Sequence, residues 1–380
     1  MCYSLLKMAK KDQSQKTKIL SLPATWLTLA ERSLAFQALF TPQEKATLLQ
    51  FRQENQKLFA KAKVFVVDLR KTEGFLGDTI CDSYLTDALL QCYPQKLILE
   101  WSRCPQLLGK HTILTDWGQE KNKIVLHFRK GPNGRTKKET FKLEEIIKIT
   151  PRYNSAVPAG YFNQDIEKTL SFHEIPLHQL HRAQILWEVL YDIRQFKHPP
   201  RSSIGLSQKD QKAAKKIFTK LEKTDGFNFI IHPDAHSLHF KEKSWPIPKW
   251  VLLIKDLAEF GRIFLTQGVN HPRLSSEIAQ ECKNQTIPFT LLPSLSLPQY
   301  AALLQCFPKK KTVLIGLESM AGSHLAPGLG IKSVVIAAGK LFKPAIYGPF
   351  GGTVVHNEKL TAASVKAEKV VEAIKKILRI

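Results

Sequence analysis

A chain of 380 residues, 43% of them hydrophobic, exceeds one ordinary core and fits two domains. Its 56 Lys and Arg against 33 Asp and Glu leave a formal charge of +23, which draws polyanions: nucleic acid, an anionic membrane or a phosphorylated substrate. No apolar run nears the ~20 residues that span a bilayer. No helix-turn-helix, zinc-finger or aromatic-paired RNA-binding signature accompanies the charge, which disfavours nucleic acid; a merely solvated lysine surface stays open beside the polyanion reading.

The first residues, Met1 to Lys11, hold a short apolar piece followed by lysines, without a secretory core or cleavage site, so a cytoplasmic protein is expected. Cys2, Cys81, Cys92, Cys104, Cys282 and Cys306 are scattered with no C-x-x-C pair, and read as reduced thiols. Residues 1–60 are helical in tendency: Thr41, Pro42 and Gln43 make a cap and first turn, and good helix formers run from Lys45 to Ala60. They form an N-terminal extension packed on the first domain or on a partner.

Residues 61–198 read as a first α/β domain. Val64 to Leu69 is a buried strand run, Arg70 to Gly77 a turn, and a helix follows from near Asp78 to Cys92. Lys96 to Trp101 is the next strand, so a parallel sheet with a right-handed crossover is expected. Lys123 to Arg129 and Thr140 to Leu143 flank the turn Gly131–Arg135, a hairpin-like insertion with several cations. Leu180 to Phe196 reads as a helix. Residues 199–205 begin with two prolines and read as a linker.

Residues 206–358 alternate again. Ser207 caps a helix to Leu221, Phe227 to Ile231 is a strand, Lys249 to Phe260 a helix closed by Gly261, and Arg262 to Thr266 a strand. Ile287 to Leu292 is a further strand and Pro298 to Leu304 a helix. Leu314 to Leu317 then enters Glu318-Ser319-Met320-Ala321-Gly322-Ser323-His324, a strand-to-helix turn before the apolar run Ser333 to Ala338. Such a turn can aim free N–H groups at a phosphate, or be an ordinary βαβ turn. Residues 359–380 are a basic amphipathic C-terminal helix.

Three sets of side chains could carry chemistry. Asp78, after Gly77 and before Thr79, is either a helix cap or a general base. Lys243, beside Trp245-Pro246, could reach a diphosphate by a charge-assisted contact. His324 is either a packed, capped histidine or a donor to phosphate. His232, His236 and His239 invite zinc, but Pro233 breaks their spacing and no Cys or paired carboxylate completes a set, so no metal is expected.

In this order the motifs resemble the family 9 glycosyltransferases of bacteria, the ADP-heptose:lipopolysaccharide heptosyltransferases and relatives. The likeness spans roughly residues 62–355. It rests on Leu76-Gly77-Asp78-Thr79, on Ile231-His232-Pro233-Asp234-Ala235, on Lys243-x-Trp245-Pro246 with Trp250, on Leu295 to Leu304, and on Ser319 to Ala326 with Gly330. The resemblance implies a GT-B fold, two Rossmann-like domains across a cleft, and inverting transfer of a sugar, plausibly heptose, without metal or other cofactor. It implies Asp78 as base, with Gly77 and Thr79 on the acceptor side. Lys243, Glu318, Ser319, Gly322, Ser323 and His324 would hold a nucleotide-diphosphate sugar resembling ADP-heptose. It further implies an anionic glycolipid acceptor and peripheral contact with the inner face of the inner membrane. The family has Asp-Ser/Thr-Gly before the donor helix; the offsets from His324 give Ser319, Met320 and Ala321 here. Either Glu318 replaces the aspartate with a one-residue shift, or the carboxylate is missing. A non-catalytic GT-B scaffold binding a polyanion or membrane partner, and an epimerase on the same fold, are the rival readings.

Overall fold

A computed structural model of the chain describes residues 17–21, 42–70, 79–80, 83–102, 104–108, 110–150, 155–158, 202–221, 226–234, 243–268, 271–319, 321–338, 349, 352–357 and 361–380. Residues 77 and 78, the helix expected over 180–196, and His236 and His239 lie outside them.

The described elements follow one another as β1 (Lys18–Ser21), α1 (Pro42–Lys61), β2 (Val64–Asp68), α2 (Tyr84–Cys92), β3 (Leu97–Trp101), β4 (Thr112–Glu120), β5 (Lys123–Lys130), β6 (Thr136–Lys142), β7 (Ile146–Thr150) and β8 (Ser155–Pro158). The chain continues through α3 (Gln208–Phe218), β9 (Phe227–His232), α4 (Ile247–Ala258), β10 (Gly261–Leu265), α5 (Pro272–Asn284), β11 (Thr290–Leu291) and α6 (Leu297–Cys306). It closes with β12 (Thr312–Leu317), a π-helix Ala321–Leu325, α7 (Ala326–Gly328), β13 (Lys332–Ala338), β14 (Thr353–Asn357) and α8 (Ala367–Leu378).

These strands build two seven-stranded sheets, ordered β6-β5-β4-β3-β2-β7-β8 and β1-β14-β13-β12-β9-β10-β11. In the first, β4, β3, β2 and β7 are parallel, and β5 and β6 extend the edge as an antiparallel meander. In the second, every pair is parallel except β1 against β14. The central strands are continuous runs of branched apolar residues because both faces are covered; β2 and β12 are buried throughout. Chain order reverses at β2 in the first sheet and between β9 and β12 in the second. In open α/β sheets a crevice forms outside the carboxyl ends of the strands at such reversals.

One apolar cluster runs through both units. It joins Phe65, Val67 and Leu85 of the first to Leu303, Leu325 and Leu329 of the second, with Ile204 and Leu206 between them. A separate cluster on the other face of the second sheet gathers Trp250, Ile254, Ile278, Ile315 and, from α8, Val370 and Ile374.

Several boundaries differ from the expectation. Residues 1–60 are not helical throughout: Lys18–Ser21 pairs with Thr353–Asn357 and covers the edge strand of the second sheet. The residues expected as a free linker are partly docked, since Ser202 and Ser203 are buried. Helical backbone begins at Thr79, next to Asp78 as expected, and after a turn at Ser83 the helix α2 runs Tyr84–Cys92. Gly261 does not close a helix but opens β10, where a Cβ would lie 2.2 Å from Phe227 O. The strand expected over 287–292 shrinks to Thr290–Leu291. Helix α5 went unread in the sequence, although Pro272 marks its first turn and Ser275, Ile278, Ala279 and Cys282 form its buried stripe.

Candidate functional site

The carboxyl ends of β9 and β12 flank the reversal point of the second sheet, and the chain after each supplies one charged residue. Lys243 follows the loop after β9; Glu318 is the residue immediately after β12. Lys243 Nζ lies 3.1 Å from Glu318 Oε1, both side chains being partly exposed. Burial pushes the Glu318 carboxyl up from its ordinary value, and the ammonium of Lys243 pulls it part of the way back. Among the described residues Glu318 Oε2 has no hydrogen-bond partner, and neither does the buried hydroxyl of Ser323. Two unsatisfied oxygens beside one ammonium are polar groups that a bound ligand could complete.

The turn that follows is not the N–H cradle expected from the sequence. Gly322 N–H points at Ser319 Oγ (3.4 Å) and Ser323 N–H donates to Ser319 O (2.9 Å), so both are used inside the turn. Gly322 serves packing: a Cβ there would meet Val335 Cγ2 at 3.3 Å and Leu317 O at 3.5 Å. Among the described residues the buried Ser323 hydroxyl has no partner, and His324 beside it is half-buried.

The turn then runs as a π-helix, Ala321–Leu325, a winding that holds one more residue per hydrogen-bonded ring than an α-turn. Glu318 stands directly after β12, six residues before His324.

The Trp-Pro part of the Lys243 motif is architectural. Trp245 is 2% exposed, meets Trp250 edge to face at 4.7 Å, and donates Nε1–H to Val365 O at 2.9 Å. Lys249 Nζ caps the same segment through Val365 O (2.9 Å) and Ala363 O. The anchor therefore fixes the chain two residues after Lys243, where it enters α4.

Beneath the loop, His232 at the end of β9 stacks on Tyr300 (centroids 5.6 Å) and places Nδ1 2.8 Å from Thr266 Oγ1. Thr266 Oγ1 donates its single proton to Ile231 O (3.2 Å), so it accepts from His232, which carries its proton on Nδ1. Burial holds the imidazole down at about 4, hence neutral at physiological pH. The sequence offered this histidine as a metal ligand and gave no sign of the Thr266 and Tyr300 contacts, which come from other elements. Among the described residues no group of three or more His, Cys, Asp or Glu is arranged to hold a metal ion.

On the first unit, Thr79 is buried and its carbonyl accepts from Ser83 N–H (3.0 Å). At the end of β2, buried Asp68 takes a two-pronged bond from Arg70 (2.9 and 2.8 Å), whose guanidinium lies 3.0 Å from the centroid of the Trp101 ring. This fixes the start of the loop that leads to Gly77 and Asp78. Neither of those two can be set against Lys243.

Two sheets of parallel-strand type, each reversing at a central strand and sharing one core, define the GT-B class. The model of glycosyltransferase family 9 (heptosyltransferase) matches residues 142–336, and the chain belongs to that family. Solved structures agree on the fold. A family 9 glycosyl transferase from Veillonella parvula superposes with a TM-score of 0.59 at 13% identity, covering 83% of this chain and 97% of that one. E. coli ADP-heptose lps heptosyltransferase II gives 0.51 at 14%, covering 83% and 98%. E. coli heptosyltransferase WaaC with ADP gives 0.51 at 14%, covering 83% and 99%. No curated protein matches this chain.

Proposed function

We propose that this family 9 glycosyltransferase moves a sugar, plausibly a heptose, from a nucleotide-diphosphate donor to a lipopolysaccharide core or related envelope glycan, with inversion and without metal. The observation that carries the reading is the ammonium of Lys243 held on Glu318 at the reversal point of the second sheet, where the turn that bears Ser323 and His324 begins. In the reaction an acceptor hydroxyl attacks the anomeric carbon from the face opposite the diphosphate. The carboxylate of Asp78 takes the hydroxyl proton as the new C–O bond forms. The old bond to the diphosphate breaks, and the nucleoside diphosphate leaves with its added charge held by Lys243, the Ser323 hydroxyl and His324. Glu318 stands where the family has its aspartate and receives hydroxyls of the donor sugar on Oε2.

The relatives named for ADP-heptose and ADP make ADP the first nucleotide to test, with UDP and GDP beside it. The charge of +23 supports an anionic glycolipid acceptor met at the inner face of the inner membrane, from the cytoplasm. Replacing Asp78 with Ala is expected to abolish transfer while calorimetric affinity for the nucleotide stays within a few-fold of wild type. Retained transfer removes Asp78 from the mechanism. One observation favours the scaffold reading: the cation that a diphosphate needs is already paired with Glu318 in the protein itself. Absence of binding to all three nucleotides decides for the scaffold.

A further inference from the structure

Buried Ser83, Ser202 and Ser203 and half-buried Gly328 form a line between the two units, and the transfer step uses none of them. Ser83 precedes α2, where a serine ordinarily turns its hydroxyl onto the free N–H groups of the helix. Here it makes no such cap. Its Oγ donates to Ile80 O (2.7 Å) and accepts from Ser203 N–H (3.0 Å), while Ser203 Oγ donates back to Ser83 O (3.1 Å). Both serines are fully buried. The segment around Ser203 is sewn to the first unit along its backbone. Lys110 N–H donates to Ser203 O (3.1 Å), Gly205 N–H donates to Leu107 O (2.9 Å), and Leu108 bridges Ile204.

The other end of the segment touches the donor side. Ser202 Oγ donates to Gly328 O at 3.2 Å, and a Cβ at Gly328 would lie 2.7 Å from Ser202 Oγ and 2.9 Å from Ile204 Cδ1. Gly328 ends α7, which continues directly from the π-helix bearing Ser323 and His324. The same hydroxyl that binds Ser203 also holds Ile80 O, two residues beyond Asp78. The turn entering α2 and the end of the donor helix are thus tied to one strap by side-chain hydroxyls, at the expense of a helix cap.

We propose that Ser203 is a positioning residue for glycosyl transfer. With Ser83 as its receiver and Ser202 on Gly328, it sets the register between the loop carrying the base and the helix that holds the departing diphosphate. This rests on the functional reading above. A small error in that register is costly, because a displacement of about 1 Å at reacting groups lowers the rate by about 100-fold.

Two measurements test it. Ser203→Ala and Ser83→Ala are each expected to lower kcat by about 10- to 100-fold while KM for the donor moves less than about 3-fold. A fall in melting temperature with kcat unchanged makes the contacts merely structural and overturns the proposal. Should either variant fail to fold, amide exchange of the wild-type protein with saturating ADP, UDP or GDP decides. Slowed exchange at residues 79–86 together with 321–329 supports it; protection confined to 321–329 overturns it. If calorimetry finds no affinity for any of the three nucleotides, the functional reading fails first and the proposal falls with it.

Discussion

Lys243 and Glu318 come from segments 75 residues apart and meet at 3.1 Å across the carboxyl ends of β9 and β12. The pairing means that Lys243, the cation of the proposed donor site, has a resident anion. A diphosphate entering the site competes with Glu318 for Lys243, and the carboxylate, already raised by burial, loses its partner as the ligand takes it.

The two members of the pair should therefore respond in opposite ways. Lys243→Ala removes a charge-assisted contact of about 1.5–3 kcal/mol and is expected to weaken nucleotide binding by roughly 10- to 100-fold. Glu318→Gln removes the competitor at nearly constant shape, so nucleotide affinity holds or rises while transfer falls. Calorimetry beside a transfer assay separates the two effects. An equal loss of affinity in both variants would mean that the ion pair only props the loop.

A second group, Glu100 on β3, sets an alkaline limit to stability. It is fully buried; the hydroxyls of Ser203 and Thr86 lie close, but neither makes a well-formed hydrogen bond to its oxygens. Burial raises it from 4.5 to about 8, with Lys110 pulling it down and Asp87 adding a small push upward. His111, in the same cluster, is held down at about 4 by burial first and Lys110 second. For a carboxyl with a raised folded value, the folded state binds more protons than the unfolded one between 4.5 and 8. Its contribution is thus full below 4.5 and is lost as pH climbs through 8. Glu100→Gln is expected to remove that decline, gaining a few kcal/mol over wild type at pH 8 to 9 and little at pH 5. Parallel denaturation curves for the two proteins across this range would exclude the assignment.

How far the sequence carried this picture depends on the distance over which each feature is encoded. The strand and helix of Val64–Cys92 were legible because periodicity, turn residues and motif order are local, whereas Lys243 and Glu318 were singled out separately and their pairing was not. The π-helix Ala321–Leu325 was not legible either, since a π-turn leaves no distinctive residue pattern. Lys18–Ser21 was misread because four residues have no periodicity of their own and become a strand only when the edge of β14 offers partners. The diversion of the Ser83 hydroxyl to Ser203, 120 residues away, likewise follows from tertiary packing alone.

The Trp245 motif yields a prediction of stability without function. Trp245→Phe keeps most of the ring packing on Trp250 but removes the buried donor to Val365 O, which Lys249 still serves. A loss of about 1 kcal/mol is expected, lowering the melting temperature by about 2–4 °C. Nucleotide affinity should not change, because the side chain lies inside the core and Lys243 does not. A drop in affinity larger than the drop in stability explains would show that the tryptophan controls the loop more directly.

His232 offers the sharpest check on the architecture beneath the site. Its side chain is half-buried and stacked on Tyr300, and its Nδ1 proton goes to a threonine whose own proton is committed to Ile231 O. The folded value of about 4 lies below the ordinary 6.5, so the unfolded chain binds more protons in that interval. The stability this histidine contributes is present above 6.5 and is lost as pH falls through 4. Nitrogen-resolved NMR should show a neutral imidazole protonated at Nδ1 down to about pH 5. Thr266→Val should strand that N–H in the core, destabilising the protein by about 1–3 kcal/mol. A His232 signal that titrates near 6.5 in the folded protein would instead place the ring in water, and with it the floor of the site described here.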